Sequence, residues 1–187
     1  LPATILSRGQ ILYFHPVPAS AIYEYLLKNY NTNRSLAKDL ANLALGRPLT
    51  AVKYLENPEL YRGYLERAEI WLEILVSNLT DRYHRLDSLF NDKTWSKQAV
   101  ESALDILDLA EGLARDLMLL SLGQNDRLQH SALRAKLGET LASLAGRGGA
   151  DAVPEILRQF QVISQAKEYL TANVNPRLVL EQAVANL

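Results

Sequence analysis

The chain has 187 residues, of which 48 % are apolar and 22 % charged, with 20 Lys plus Arg against 21 Asp plus Glu for a net charge of -1. That length allows one ordinary domain or two small ones with a real core and excludes a large multidomain enzyme, while the balanced charge excludes a disordered acidic tail and a generally basic nucleic-acid coat. Leu (36) and Ala (22) far outnumber Gly (9) and Pro (7), a composition that predicts an all-α fold.

There is no cysteine, so disulfides, thiolate metal sites and a cysteine nucleophile are excluded and a cytoplasmic setting is expected. No apolar run reaches the roughly 18 residues of a membrane span. The opening Leu1-Pro2-Ala3-Thr4 has neither a Met nor the layout of a signal peptide, and the chain reads as a piece of something longer.

Residues 1–18 differ from the rest of the chain. Ile11-Leu12-Tyr13-Phe14 is a short β-prone run, and His15-Pro16-Val17-Pro18 cannot continue it, so this stretch is expected to be the last strand and exit loop of a domain whose body is missing. Pro18 suits the first turn of a helix. Ile22, Tyr25, Leu26 and Tyr30 then recur at helical spacing up to the Asn29-Tyr30-Asn31-Thr32-Asn33 turn. A second helix carries Leu36, Leu40, Leu43 and Ala44 and stops at Gly46. A third comes after Pro48, with Leu49, Val52 and Leu55 inward, and breaks at Asn57-Pro58. Residues 15–57 thus form a compact three-helix bundle.

From Glu59 the helices lengthen. Tyr61, Tyr64, Ala68, Trp71, Leu72, Leu75, Leu79, Leu86 and Leu89 keep one stripe over 59–89, expected as one long helix. A second shows Ala99, Val100, Ala103, Leu107, Ala110, Ala114, Leu117 and Leu120 and ends near Gly123. A third runs over 128–144, before a flexible break at Gly146-Arg147-Gly148-Gly149; a fourth covers 154–171; and a fifth opens at Asn175-Pro176, an N-cap with proline directly after it. Five antiparallel helices over 58–187 make a second domain.

Little in this pattern carries chemistry. His15, His84 and His130 lie far apart without the i, i+4 pairing of a helical metal site, and are expected at the surface or in packing. No glycine-rich loop leads into the Lys of a phosphate cradle. Asp105 with Asp108, and Glu66 with Glu69 and Glu73, are expected on solvent faces. Tyr13, Tyr23, Tyr25, Tyr30, Tyr54, Tyr61 and Tyr64 crowd the first third, where Lys plus Arg exceed Asp plus Glu by 7 to 4 through residue 65. Helical spacing assigns most of these rings to inward stripes rather than to a base-stacking platform. Residues 66–187 carry a net charge of -4, a poor match for a phosphate backbone. In Thr4-Ile5-Leu6-Ser7-Arg8-Gly9-Gln10, an arginine stands in a polar turn just before the β-prone run. It is either a surface residue or a planar fork placed to reach a phosphate on a neighbouring subunit.

Ser7-Arg8-Gly9, Leu43-Ala44-Leu45-Gly46-Arg47-Pro48, Leu113-Ala114-Arg115-Asp116-Leu117 and Asn173-Val174-Asn175-Pro176-Arg177-Leu178-Val179-Leu180-Glu181, in that order, resemble the C-terminal part of bacterial clamp-loader subunits of the AAA+ family, specifically those of the delta-prime type in DNA polymerase III. The similarity spans essentially the whole chain. The resemblance implies a strand remnant of the AAA+ core (1–14), a three-helix lid (15–57) and a five-helix collar (58–187). It implies a hetero-pentamer with the gamma/tau and delta subunits that uses ATP to place a sliding clamp on primed DNA, with no membrane partner. Arg8, with Ser7 in its motif, matches the arginine finger that acts in trans on ATP and Mg held by an adjacent subunit. Gly9 replaces the usual Cys of that motif. Arg47 resembles a second-sensor arginine only loosely, the other reading being a helix-capping surface residue. With the nucleotide-binding core absent, the resemblance implies no catalysis and no cofactor in this fragment. Apolar residues on a second face of the collar helices would mark subunit contacts, and the candidates are Leu119, Leu122, Ile163 and Val179. The competing expectation is a free-standing helical adaptor that takes a peptide or helix in a groove.

Overall fold

In the computed structural model, residues 15–92, 94–148 and 151–187 are described. They contain nine α-helices, two single 3-10 turns and no strand, in agreement with the all-α expectation. The β-prone run Ile11–Phe14 and the Ser7-Arg8-Gly9 motif lie outside the described residues.

Helix α1 (Ala19–Tyr30) begins directly after Pro18 and ends on Asn31, whose left-handed backbone (φ 47°) turns the chain. Asn33 then caps α2 (Arg34–Leu43) by accepting a hydrogen bond from the Leu36 amide at 2.7 Å. A turn over residues 44–47 leads to α3 (Pro48–Glu56). Ile22, Leu26, Ala37, Leu40, Ala41, Ala44 and Ala51 form one buried cluster among these three helices. On α3 the small Ala51 faces inward, and Leu49, expected inside, is 80 % exposed. The helix packs across its neighbours through a short side chain, which leaves the first-turn leucine outside.

Asn57 is both the C-cap of α3 and the N-cap of α4 (Pro58–Val76). The single long helix expected over 59–89 is two helices, α4 and α5 (Leu79–Leu89). The break is built from side chains. The Ser77 hydroxyl donates to the Glu73 carbonyl at 2.7 Å, and Asn78 accepts from the Asp81 amide at 3.0 Å, so one helix closes and the next is capped within two residues. Leu79 consequently sits on an exposed first turn, 52 % accessible, rather than on the buried stripe.

Ser96 caps α6 (Lys97–Ser121), the longest helix, which ends before Gly123 at φ 72°. A segment with 3-10 turns at Asn125–Arg127 and Ser131–Leu133 comes next, and α7 (Arg134–Gly148) starts six residues later than the expected 128 and runs through Gly146. The expected flexible break thus begins as a last helical turn. Helices α8 (Val153–Thr171) and α9 (Pro176–Ala185) complete the chain, α9 capped by Asn175 as expected. The second unit therefore has six α-helices where five were expected. Its core centres on Trp71, Leu72, Ile74, Leu86, Leu107, Leu113 and Leu117, all within 1 % of full burial, each side chain contributing about 1.5–3 kcal/mol. Helix α6 lies at its middle, packed against α4, α7, α8 and α9.

Candidate functional site

Two places stand out once the helices are assembled: the exposed turn between α2 and α3, and the polar joint where the three-helix unit meets the six-helix bundle.

At the turn, Leu45 and Gly46 both have left-handed backbones (φ 48° and 79°). A Cβ on Gly46 would stand 2.4 Å from the Pro16 Cβ, and the Val17 amide donates to the Gly46 carbonyl at 2.9 Å. Only glycine lets the incoming segment lie this close. The left-handed leucine has no such excuse of size, and non-glycine residues seldom hold this conformation. Leu45 (56 % exposed) and Leu49 flank the exposed Arg47, whose backbone provides the N-cap position of α3. The Arg47 side chain makes no hydrogen bond or ion pair among the described residues. A knuckle of two exposed leucines around an unengaged guanidinium is thereby presented beside the N-terminal segment.

The joint is built on Asp116, fully buried on the inner face of α6. Its carboxylate accepts from the Gln129 amide (3.0 Å), the His130 amide (2.7 Å) and His130 Nδ1 (2.9 Å), with Arg115 Nη1 3.6 Å away. Nδ1 faces the carboxylate and Nε2 lies 2.7 Å from the Tyr64 hydroxyl, so both ring nitrogens are engaged. The Tyr64 ring stacks on His130, with centroids 5.8 Å apart and planes 6° from parallel, and Tyr54 of α3 packs on both Tyr61 and Tyr64. Burial raises the Tyr64 phenol well above its usual value, with Tyr54 and Asp116 adding and Arg67 opposing. Tyr61 is pushed up to about 12, chiefly by burial and then by Asp39. An Asp–His pair of this kind orients a base in many hydrolases, but here the imidazole is sealed from solvent and its free nitrogen is taken by a phenol. The arrangement holds structure together and offers no access to a substrate.

Sequence reasoning missed this cluster. The only local signal is a carboxylate three residues after Leu113, on the buried side of α6. Among the histidines, His15 and His84 are exposed and His130 is a packing residue. Two acidic residues assigned to solvent faces are engaged: Glu73, half-buried, pairs with Arg85 and Lys136, and Asp108 pairs with Lys167 at 2.6 Å. Among the early tyrosines, Tyr23, Tyr54, Tyr61 and Tyr64 are partly buried as expected; Tyr25 and Tyr30 form an exposed edge-to-face pair at 6.0 Å, and Tyr13 lies outside the described residues.

The four proposed contact residues separate. Leu122 is exposed and Leu119 partly buried at the end of α6. Ile163 and Val179 are core residues, 2 % and 1 % exposed, because α8 and α9 pack on α6 and on each other through the faces that carry them. These two are not available as surface contacts. Ser7 and Arg8 lie outside the described residues. Alongside α1 and α2 runs an open groove of about 490 Å³ lined by Ser20, Tyr23, Arg34, Ser35, Lys38 and Asn42, among others. Among the described residues no cluster of three His, Cys, Asp or Glu is placed to hold a metal ion, and no helix is long and apolar enough to cross a membrane. Comparison with protein-family models, curated proteins and solved structures finds no match to this chain.

Proposed function

We propose that this chain is the lid-and-collar portion of a bacterial clamp-loader subunit of the delta-prime type, with 15–57 as the lid and 58–187 as the collar. In this reading the collar joins the gamma/tau and delta subunits in a hetero-pentameric ring. Arg8 serves in trans as the arginine finger for ATP and Mg held next door. The loader then places the sliding clamp on primed DNA in the bacterial cytoplasm.

The observation that carries the reading is the order of parts: a three-helix unit with its own core, its second and third helices joined by the Gly46-Arg47-Pro48 turn, and then a bundle with helices of up to 25 residues. That is the succession the sequence resemblance implies, although the larger unit has six helices. The exposed end of α6, with Leu122 and the half-buried Leu119, is the remaining apolar surface among the contact residues named for the collar.

The test is association. Light scattering of the chain mixed with clamp-loader ATPase subunits should detect a stable complex at micromolar concentration, weakened by Leu122→Asp; no complex would count against the collar assignment. In a full-length parent, Arg8→Ala should leave the assembly intact and slow its ATP hydrolysis, as loss of an arginine finger does elsewhere; unchanged turnover would remove the finger role. A second reading, a helical adaptor, is favoured by the groove along α1 and α2. It requires peptide binding by the chain alone, lost on Tyr23→Ala.

A further inference from the structure

The buried side chains form two separate clusters, one within α1–α3 and one within α4–α9. No fully buried side chain belongs to both, and the apolar contact between the units runs through partly buried rings, Tyr61 of α4 against the first cluster and Tyr54 of α3 on Tyr61 and Tyr64. The units are linked in sequence by the single cap residue Asn57, which limits translation but leaves rotation about the α3–α4 junction open. Apolar contact alone would tolerate such rotation, because it has no preferred direction.

Directional bonds occupy the same place. The segment between α6 and α7 sends successive residues to opposite units. His130 is held by Asp116 of α6 and Tyr64 of α4. Ser131, the next residue, donates its hydroxyl to Asp39 of α2 at 2.7 Å and accepts from the Asn42 amide of α2 at 3.3 Å. Gly112 lets the segment lie against α6: a Cβ there would come 3.0 Å from Gln129 Oε1 and 3.1 Å from His130 Cε1. On the other side Tyr54 of α3 packs on Tyr64, so the same imidazole–phenol stack touches both units. Asp39 of α2, Tyr64 of α4 and Asp116 of α6 thus meet two consecutive residues of one segment, with Tyr54 and Arg67 acting on Tyr64 and Arg115 beside Asp116. A fully buried carboxylate is expensive to desolvate, and one that spends all its acceptors on a single segment gains a unique geometry in return.

We propose that residues 129–131 are an interlock that sets the angle between the three-helix unit and the six-helix bundle, with Asp116 fixing the segment and Ser131 engaging α2. Such an interlock is independent of the function proposed above.

The chain has no cysteine, so spin labels at Lys28→Cys on α1 and Glu139→Cys on α7, both exposed, report the angle without interference. Pulsed dipolar spectroscopy of the labelled parent should give one narrow distance distribution. Ser131→Ala and Asp39→Ala should each broaden it and shift its mean, and the double variant should add nothing beyond Ser131→Ala, which already removes the bond to Asp39. In a background carrying Trp95→Phe, which leaves Trp71 as the one tryptophan, the midpoint of unfolding followed by Trp71 fluorescence, a report on the bundle core, should stay at the parent value in Ser131→Ala. A distribution in Ser131→Ala and Asp39→Ala that coincides with the parent's overturns the interlock. So does a lowered Trp71 midpoint in Ser131→Ala, which would make the serine part of the bundle's own stability. Broadening with an unchanged midpoint is the outcome that supports it.

Discussion

Asp116→Ala leaves three donors of one segment without their acceptor: the amides of Gln129 and His130 and the Nδ1–H of His130. Gln129 is partly exposed and its amide can turn to water, whereas His130 is 2 % exposed and its two donors cannot. Each buried donor left unpaired costs about 1–3 kcal/mol, so the two buried donors of His130 together imply a loss of about 2–6 kcal/mol. That is a large part of the roughly 5–15 kcal/mol that stabilises an ordinary domain. Asp116→Asn should behave differently. With its carbonyl oxygen at the Oδ2 position it still accepts from both the His130 amide and His130 Nδ1–H, and only the partly exposed Gln129 amide loses its acceptor. The bonds to His130 survive with unchanged polarity, at a cost of about 1 kcal/mol. Urea unfolding followed by circular dichroism gives both numbers, and the 15N shifts of His130 report the tautomer directly. A loss below about 1 kcal/mol for the alanine variant, or equal losses for alanine and asparagine, would rule out unpaired buried donors as the source of the cost.

Gly46→Ala combines a left-handed backbone with a Cβ 2.4 Å from Pro16 and should lower stability by at least about 1–3 kcal/mol, seen as a reduced thermal midpoint; a parent-like midpoint would contradict the close packing. Leu86→Ala, at a fully buried position, should cost about 2–5 kcal/mol in urea unfolding. Leu49→Ala, at a position 80 % exposed, should stay within about 0.5 kcal/mol of the parent. The tyrosines set an alkaline limit. Tyr61 titrates near 10 when unfolded and at about 12 when folded, so the unfolded state loses its proton first. Stability conferred by the neutral phenol is whole below pH 10 and falls as pH rises towards 12. Tyr61→Phe should flatten that limb of the stability–pH curve, measured by urea midpoints across the interval, and an unaltered limb would show that Tyr61 does not contribute.

Where a helix boundary is encoded by neighbouring residues, the sequence announces it. Asn175 caps the helix it is expected to cap, Gly123 takes the left-handed turn that ends α6, and the helices that follow the expected turn at 29–33 and the end of the stripe at 89 are capped locally by Asn33 and Ser96. The break at Ser77 and Asn78 is hidden because Leu75, Leu79 and Leu86 continue one apparent stripe across it, although the Asn78–Asp81 cap is local. The late start of α7 is hidden in the same way, by Leu128 and Leu133 at near-helical spacing, both buried but from an irregular segment. Ile163 and Val179 are misplaced by periodicity for a tertiary reason. Periodicity measures how wide an apolar face is, but not how many neighbours cover it, and α8 and α9 each lie against at least two other helices.

Polar groups that close the breaks are the least legible part of the fold, since their partners are distant in sequence. Arg82 of α5 donates to the carbonyls of Val184 and Leu187 at the end of α9, 102 and 105 residues away. Arg177 of α9 donates to the Phe90 carbonyl at the end of α5, 87 residues away, and also pairs with Asp87 and Glu181. Helices α5 and α9 thus finish each other's C-termini with an arginine apiece, supplying cations and donors where a helix leaves carbonyls unpaired. Asp116 does the converse for the segment after α6, offering acceptors to amides that no helix satisfies. In all three cases a charged side chain from a regular helix completes the backbone of an irregular stretch. Consequently the described residues contain no buried side-chain nitrogen or oxygen without a hydrogen-bond partner. Arg82, Arg177 and Asp116 are thus what pairs backbone groups where α5, α6 and α9 stop.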